Sequence, residues 1–213
     1  MSIEKKVASC GIFLALIWVF AGCGGTSLTD TERSVTATQL LEQGWNSFSS
    51  GNFTASIQSF ESVLAQRLVT EDQKRDAWNG VGWSLTRKGQ ILESIPHFEK
   101  AIGGTDKRTD GEARVGLAAA KVQRHAGKQD FIDSVDLLTG IDKGNADFIF
   151  TPNTAHHIRV NNAKAHALLA IAYAFAGDAP NATSQKFKAA ALDANIINTS
   201  VDQTVEALTL LGF

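Results

Sequence analysis

The side chains best suited to covalent chemistry are two cysteines, Cys10 and Cys23, both near the N-terminus of the 213-residue chain. No cysteine follows Cys23, so the rest of the sequence offers neither an internal disulfide nor a cysteine-ligated metal site. His156, His157 and His166 are the best candidate metal ligands. Neighbouring residues of a helix point to different sides, and no acidic residue stands at ligand spacing. We therefore expect no metal ion and no cofactor.

The short motifs that mark common enzyme classes do not occur in the sequence. It has no Gly-Lys-Ser or Gly-Lys-Thr of a phosphate-binding loop, no His-Glu-x-x-His and no Gly-x-Ser-x-Gly. The net charge of -2 also argues against a nucleic-acid partner, because such binding depends on neutralising phosphates with lysine and arginine. We predict a protein that is not an enzyme.

The first 22 residues are typical of a secretion signal. Lys5 and Lys6 precede an uncharged run from residue 7 to residue 22, which has the length of a signal's apolar core and is short for a bilayer span. Ala21 and Gly22 then precede Cys23. Two small residues before a cysteine resemble the lipobox of bacterial lipoproteins. The resemblance implies that residues 1–22 are removed and that Cys23 carries acyl chains such as palmitate. The alternatives are a plain transmembrane anchor and an ordinary cleaved signal.

Lipidation at Cys23 would give the protein an address in the cell envelope. Several acyl chains at one residue hold a protein stably at a membrane. Gly24 follows the cysteine, and by resemblance to enterobacterial sorting rules this favours the outer membrane. The protein would then face the periplasm or the cell surface of a Gram-negative host. Residues 23–36 are small and polar and are predicted to form a flexible tether, which leaves residues 37–213 as the folded domain.

Four glycines divide this domain into similar units. Gly51, Gly89 and Gly127 are spaced 38 residues apart, and Gly177 follows after 50. Each glycine stands between two amphipathic stretches, and glycine is the usual residue just past the end of a helix. The scarcity of proline, with three in the chain, also suits helices. The pattern predicts four helical hairpins, with an insertion at residues 140–157 and a closing helix at residues 199–213.

The residues around Gly89 resemble the tetratricopeptide repeat (TPR). Trp78 and Gly82 precede this glycine, while Ser94, Phe98 and Ala101 follow it. Weaker matches flank the other glycines, so the resemblance covers roughly residues 37–193. It implies an all-α fold, an α-α superhelix of about four helix pairs with a C-terminal capping helix. Small residues would let helices approach closely, and aromatic side chains would fill the space beside them. The alternative is a generic helical bundle.

The first helix of each pair lines a concave groove in TPR proteins. Counting back from each glycine gives seven candidate groove residues, namely Trp45, Phe48, Asn79, Trp83, Arg87, Lys121 and Arg124. Asn79 resembles the asparagine that hydrogen-bonds a ligand backbone in peptide-binding members. Exposed tryptophan and arginine are frequent at binding hot spots, so we expect a groove for a segment with apolar and acidic character. The alternative is that both tryptophans pack between the helices or against the C-terminal segment.

The sequence thus predicts a membrane-anchored TPR lipoprotein that acts as a non-catalytic scaffold or adaptor in the cell envelope. Its partners would be the membrane, through the lipid on Cys23, and envelope proteins or a peptide segment, through the groove near Trp45 and Trp83. The alternative is a lipoprotein that binds a peptide, a glycan or a small ligand in the same aromatic groove.

Overall fold

The computed structural model describes residues 30–196, and all regular structure in this range is helical. Within residues 30–196, eight α-helices follow one another: α1 (Asp30–Ser49), α2 (Phe53–Leu64), α3 (Glu71–Arg87), α4 (Ile91–Ala101), α5 (Lys107–Arg124), α6 (Lys128–Thr139), α7 (Asn162–Ala176) and α8 (Ala179–Leu192). They form the four predicted hairpins. The all-α fold class, with stacked helix pairs, is confirmed.

The hairpins stack in chain order. Each helix packs against the next one, and α1 also contacts α3, α3 contacts α5 and α5 contacts α7. The first helices of the pairs therefore share one side of the array. We call the surface formed by α1, α3 and α5 the odd-helix face. This is the arrangement of an α-α superhelix, in which a pair buries its apolar side only against its neighbours.

The turns inside the hairpins confirm three of the four glycine predictions. Gly51, Gly89 and Gly177 have φ angles of 79°, 78° and 88°, a left-handed conformation that glycine adopts without steric cost. The third turn is different. There His125 takes the left-handed conformation with φ 34°, and Gly127 is extended at φ 170° as the residue before α6.

Glycines inside the helices allow the pairs to approach as the sequence indicated. A β-carbon placed on Gly44 of α1 would lie 2.5 Å from the ring of Phe60, and one on Gly80 of α3 would lie 2.3 Å from the same ring. Phe60 of α2 thus fills the space between two odd-numbered helices. The arrangement recurs one unit later, where Phe98 lies between Gly82 and Gly116.

Helix α1 begins at Asp30, so the prediction of a flexible tether through residue 36 is wrong for residues 30–36. These residues include neither glycine nor proline, and nothing in them stops a helix from extending towards the N-terminus. The predicted signal, Cys23 and the closing helix at residues 199–213 lie outside the described residues. Within the described range, the helices are all too short or too polar to cross a membrane.

The insertion, predicted at residues 140–157, lies between α6 and α7 and runs from residue 140 to residue 161. We call it the crossing segment. It contains two short 3-10 turns, Gly140–Asp142 and Thr154–His156, and the second contacts α1. Buried and exposed side chains alternate along much of it. The buried ones are Phe148, Phe150, His156, Ile158 and Val160. The crossing segment is therefore part of the hydrophobic core and covers the odd-helix face.

Candidate functional site

Four of the predicted groove residues lie on α1 and α3, the helices of the odd-helix face, but they are not open to solvent. Trp45 is 5% exposed and Trp83 is 1% exposed, and Phe48 and Asn79 are also buried. The expectation of a groove lined by exposed aromatic side chains is therefore corrected. The crossing segment occupies that place, and the tryptophans contribute to the core.

Trp45 is covered directly by the crossing segment. Its ring stacks on the imidazole of His156, with 3.9 Å between centroids and 9° between planes. It also makes edge contacts with Phe48 and Phe60. The indole Nε1 donates a hydrogen bond of 3.2 Å to Oδ1 of Asp76 on α3. This tryptophan joins α1, α3 and the crossing segment.

Trp83 and Asn79 are buried in contacts between helices. Trp83 meets Phe98 edge to face at 5.5 Å, which follows the alternative that the tryptophan packs between helices. Asn79 donates a hydrogen bond of 2.8 Å from Nδ2 to Oε2 of Glu112 on α5. The Asn79 side-chain amide therefore binds the carboxylate of Glu112, where the resemblance implied a bond to the backbone of a ligand.

Glu112 is a residue of this site that the sequence did not single out. It is fully buried on α5, where Oε1 accepts a hydrogen bond of 2.7 Å from the backbone N–H of Asn153. Oε2 lies 2.6 Å from Nδ1 of His156. Its position between the small residues Gly111 and Ala113 was the available signal, since small residues mark a closely packed side of a helix and a buried carboxylate requires partners.

A cluster of charged groups follows from these contacts. His156 lies between Glu112 and Asp76, with Nε2 3.4 Å from Oδ1 of Asp76. Burial raises the pKa of Asp76 to about 6, against the opposing influence of His156. Burial lowers the pKa of His156, but the hydrogen bond to Glu112 and the negative charges of both acids outweigh it, so the net shift is upward. The pair of acids thus favours a protonated histidine beneath Trp45.

The three histidines considered as metal ligands do not converge. His156 belongs to the cluster with Glu112, His157 is exposed, and His166 is buried against Gln185 and the carbonyl of Phe148. Within residues 30–196, no group of three ligating side chains is placed to hold a metal ion.

The three basic residues predicted for the groove bind different parts of the protein. Lys121 pairs with Asp133 at 2.9 Å, and Arg124 pairs with Asp130. Both acids belong to α6, so these cations stabilise the hairpin of α5 and α6. Arg87 instead donates a hydrogen bond of 2.7 Å to the carbonyl of Ile158 in the crossing segment. Of the three predicted groove cations, Arg87 is thus the one that binds the backbone of the crossing segment.

The surface of the described residues near α1 includes a larger and a smaller concavity. The larger, of about 490 Å³, is a shallow depression on α1 itself, lined by polar residues from Gln39 to Asn52. The smaller, of about 130 Å³, lies where the turn after α1 meets the crossing segment, with Phe48, Phe53, Arg87 and Arg159 in its wall. Comparisons with family models, curated proteins and solved structures gave no match to this chain. Its function therefore has to follow from its own side chains.

Proposed function

We propose that this chain is a membrane-anchored adaptor of the cell envelope, which holds other envelope proteins and catalyses no reaction. One observation carries the proposal. The odd-helix face binds an extended segment through its main chain, with Arg87 donating to the carbonyl of Ile158 and Glu112 accepting from the N–H of Asn153. These bonds fix the chain's own crossing segment on the array, so the filled face is a rigid surface on which partner proteins dock.

The crossing segment is the occupant of this face, and a partner does not replace it. Each fully buried apolar side chain contributes about 1.5–3 kcal/mol, and the segment buries four besides His156. A covalently attached segment also has a high effective concentration at its own site. Partner proteins therefore contact the surfaces that remain open around the segment, and the filled face provides a rigid platform for them.

The units are proposed to be long tetratricopeptide-like repeats. The support is geometric, because Phe60 and Phe98 fill equivalent places between glycines of neighbouring helices, 38 residues apart in the chain. A regular array offers one extended surface to partners, which suits an adaptor better than an enzyme.

The anchor belongs to the proposal and rests on the sequence around Cys23. We expect the full chain, expressed in a bacterial host, to incorporate an alkyne analogue of palmitate and to sediment with membranes. The Cys23→Ala variant is expected to lose both properties, while Cys10→Ala retains them. Labelling of Cys23→Ala at the wild-type level would contradict lipidation at this residue.

The adaptor role is tested by photo-crosslinking in intact cells of the native host. A photoreactive amino acid at Ser49, at the edge of the smaller cavity, is compared with one at Ser62, exposed on α2. The expected result is a discrete protein adduct from Ser49 that is absent from Ser62. Equal adducts from both positions, or none from either, would contradict a specific partner near the crossing segment.

The alternative of a glycan bound in an aromatic groove has little structural support. A sugar ring stacks on an exposed aromatic face, and Trp45 and Trp83 lie in the core.

A further inference from the structure

A cavity of about 130 Å³ lies beside the crossing segment. Phe48 and Phe53 form its wall on the side of α1 and α2, and Arg87, His157 and Arg159 face it from α3 and the crossing segment. We propose that this cavity binds a carboxylate carried by an acidic peptide segment. The peptide source rests on the adaptor function proposed above, whereas the carboxylate chemistry rests on the cavity alone.

Positive charge is concentrated at the cavity. Burial lowers the pKa of Arg87, and the positive charge of the nearby Arg159 lowers it further. The pKa of Lys164 is also lowered, first by burial and then by the positive charges of Arg87 and Arg159. The negative charge of Asp193 opposes this shift but does not cancel it. Within the described part of the chain, Arg159 and Lys164 form no ion pair with an acidic side chain. A bound anion would relieve this mutual repulsion.

The backbone holds these cations in place before any ligand arrives. His157 and Arg159 have φ angles of 51° and 62°, which are uncommon for residues other than glycine and are found at functional sites. The result is that Ile158 between them points into the core. Its carbonyl accepts from Arg87, and Lys164 donates a 2.8 Å hydrogen bond to the carbonyl of Arg159. His157 and Arg159 remain exposed.

The shape and lining of the cavity select the ligand. A guanidinium group pairs with a planar carboxylate through two parallel hydrogen bonds. The rings of Phe48 and Phe53, 5.5 Å apart, provide an apolar wall for the methylene groups that carry it. A glutamate side chain or the C-terminus of a peptide carries such a carboxylate.

The proposal is tested by calorimetric titration of the lipid-modified mature protein in detergent. The probes are acetyl-Gly-Phe-Glu-Gly-amide, the same peptide with glutamine, acetyl-Gly-Phe-Gly with a free C-terminus, and inorganic phosphate. We expect the glutamate peptide to bind at least tenfold more tightly than the glutamine peptide, with an affinity that falls as salt is added. The free-terminus peptide separates a C-terminal carboxylate from a side-chain one. Tighter binding of phosphate than of both carboxylate peptides would overturn the assignment.

The matched variants are Arg159→Asn and Lys143→Asn. Asparagine tolerates left-handed backbone, and Lys143 is an exposed cation with a similar φ of 53°, located outside the cavity. We expect Arg159→Asn to weaken the carboxylate peptides at least tenfold and Lys143→Asn to leave them unchanged. Equal affinities in wild type and Arg159→Asn, or glutamate and glutamine peptides that bind equally, would overturn the proposal.

A failure of the adaptor function is distinguishable from a failure of this site. Carboxylate binding that depends on Arg159, together with absent crosslinks from Ser49, would retain the site and reject the protein partner. Crosslinks from Ser49 without carboxylate binding would retain the adaptor and reject the site.

Discussion

Glu112 connects the crossing segment to the helices through two of that segment's polar groups, the N–H of Asn153 and the imidazole of His156. A third bond, from Asn79, is donated from within the array. With no exposed surface, this carboxylate has no water to replace a lost partner. It is therefore the residue at which docking of the segment is most sensitive to substitution.

Replacing Glu112 with alanine is expected to lower the free energy of unfolding by about 3–5 kcal/mol, because one buried partner of an ion pair is removed and the other is left unpaired. Urea denaturation of the purified protein measures this. The control is Glu42→Ala at an exposed position of α1, where we expect a change of about 0.5 kcal/mol or less. Similar losses in both variants would show that Glu112 does not hold the segment.

The pKa of Asp76 makes the stability of the fold depend on pH. Its value is 3.8 in an unfolded chain and about 6 in the folded protein, so between these values the folded protein retains a proton that the unfolded chain releases. Stability therefore falls as the pH rises from about 4 to 6. The raised pKa of His156 acts in the same direction above its ordinary value, since the benefit of its charged form is lost as the proton leaves.

We expect Asp76→Asn to remove the first of these two effects. Relative to wild type, the variant should gain up to about 3 kcal/mol of unfolding free energy between pH 4 and pH 7, from roughly two pKa units. The indole of Trp45 can still donate to the amide oxygen. Urea denaturation at several pH values measures the difference, with Glu42→Gln as the control. Parallel pH profiles for wild type and Asp76→Asn would contradict the raised pKa.

At the scale of single residues, the sequence identified the right positions and assigned the wrong exposure. Trp45, Phe48, Asn79 and Trp83 do lie on the helices that form the odd-helix face. Trp45 is buried by His156, which comes far later in the chain. Helical spacing reports which side of a helix a residue occupies, but it does not report what covers that side.

The helices and their turns were predictable because their signals are local. Each hairpin was anticipated from a glycine between two amphipathic stretches, and the packing of small residues against rings such as Phe60 and Phe98 was anticipated from the resemblance to the tetratricopeptide repeat. The extension of α1 to Asp30 and the third turn were missed. Polar residues without glycine or proline are compatible with either tether or helix, and a single left-handed residue such as His125 has no sequence signature.

The glycines inside the helices provide a prediction about packing. Gly80→Ala would place a β-carbon 2.3 Å from the ring of Phe60, and we expect a loss of about 1–3 kcal/mol because the ring must move in a filled core. Gly127→Ala is the control, since its backbone is extended and no atom lies within 4 Å of an added β-carbon. Chemical denaturation compares the two. Equal stability of both variants would contradict the close approach of α2 and α3.

At the scale of the whole molecule, residues 30–196 form a stack of helix pairs in which the chain connecting the third pair to the fourth returns to the first. Repeat arrays gain their stability from contacts between neighbouring units. Here the crossing segment adds contacts from α1, α3 and α5 to one stretch of chain. Such contacts between distant units cannot be read from a repeat pattern, because the pattern describes each unit and its immediate neighbours.

Whether the crossing segment fills the odd-helix face in solution is tested by hydrogen exchange of residues 148–160 in the purified full chain. The N–H of Asn153 donates to a buried carboxylate, and that of Phe150 donates to Asn162. We predict that both amides exchange as slowly as those in the middle of α3 and α5. Exchange at the rate of an unstructured loop would mean that the odd-helix face is open, which would contradict its being filled by the crossing segment.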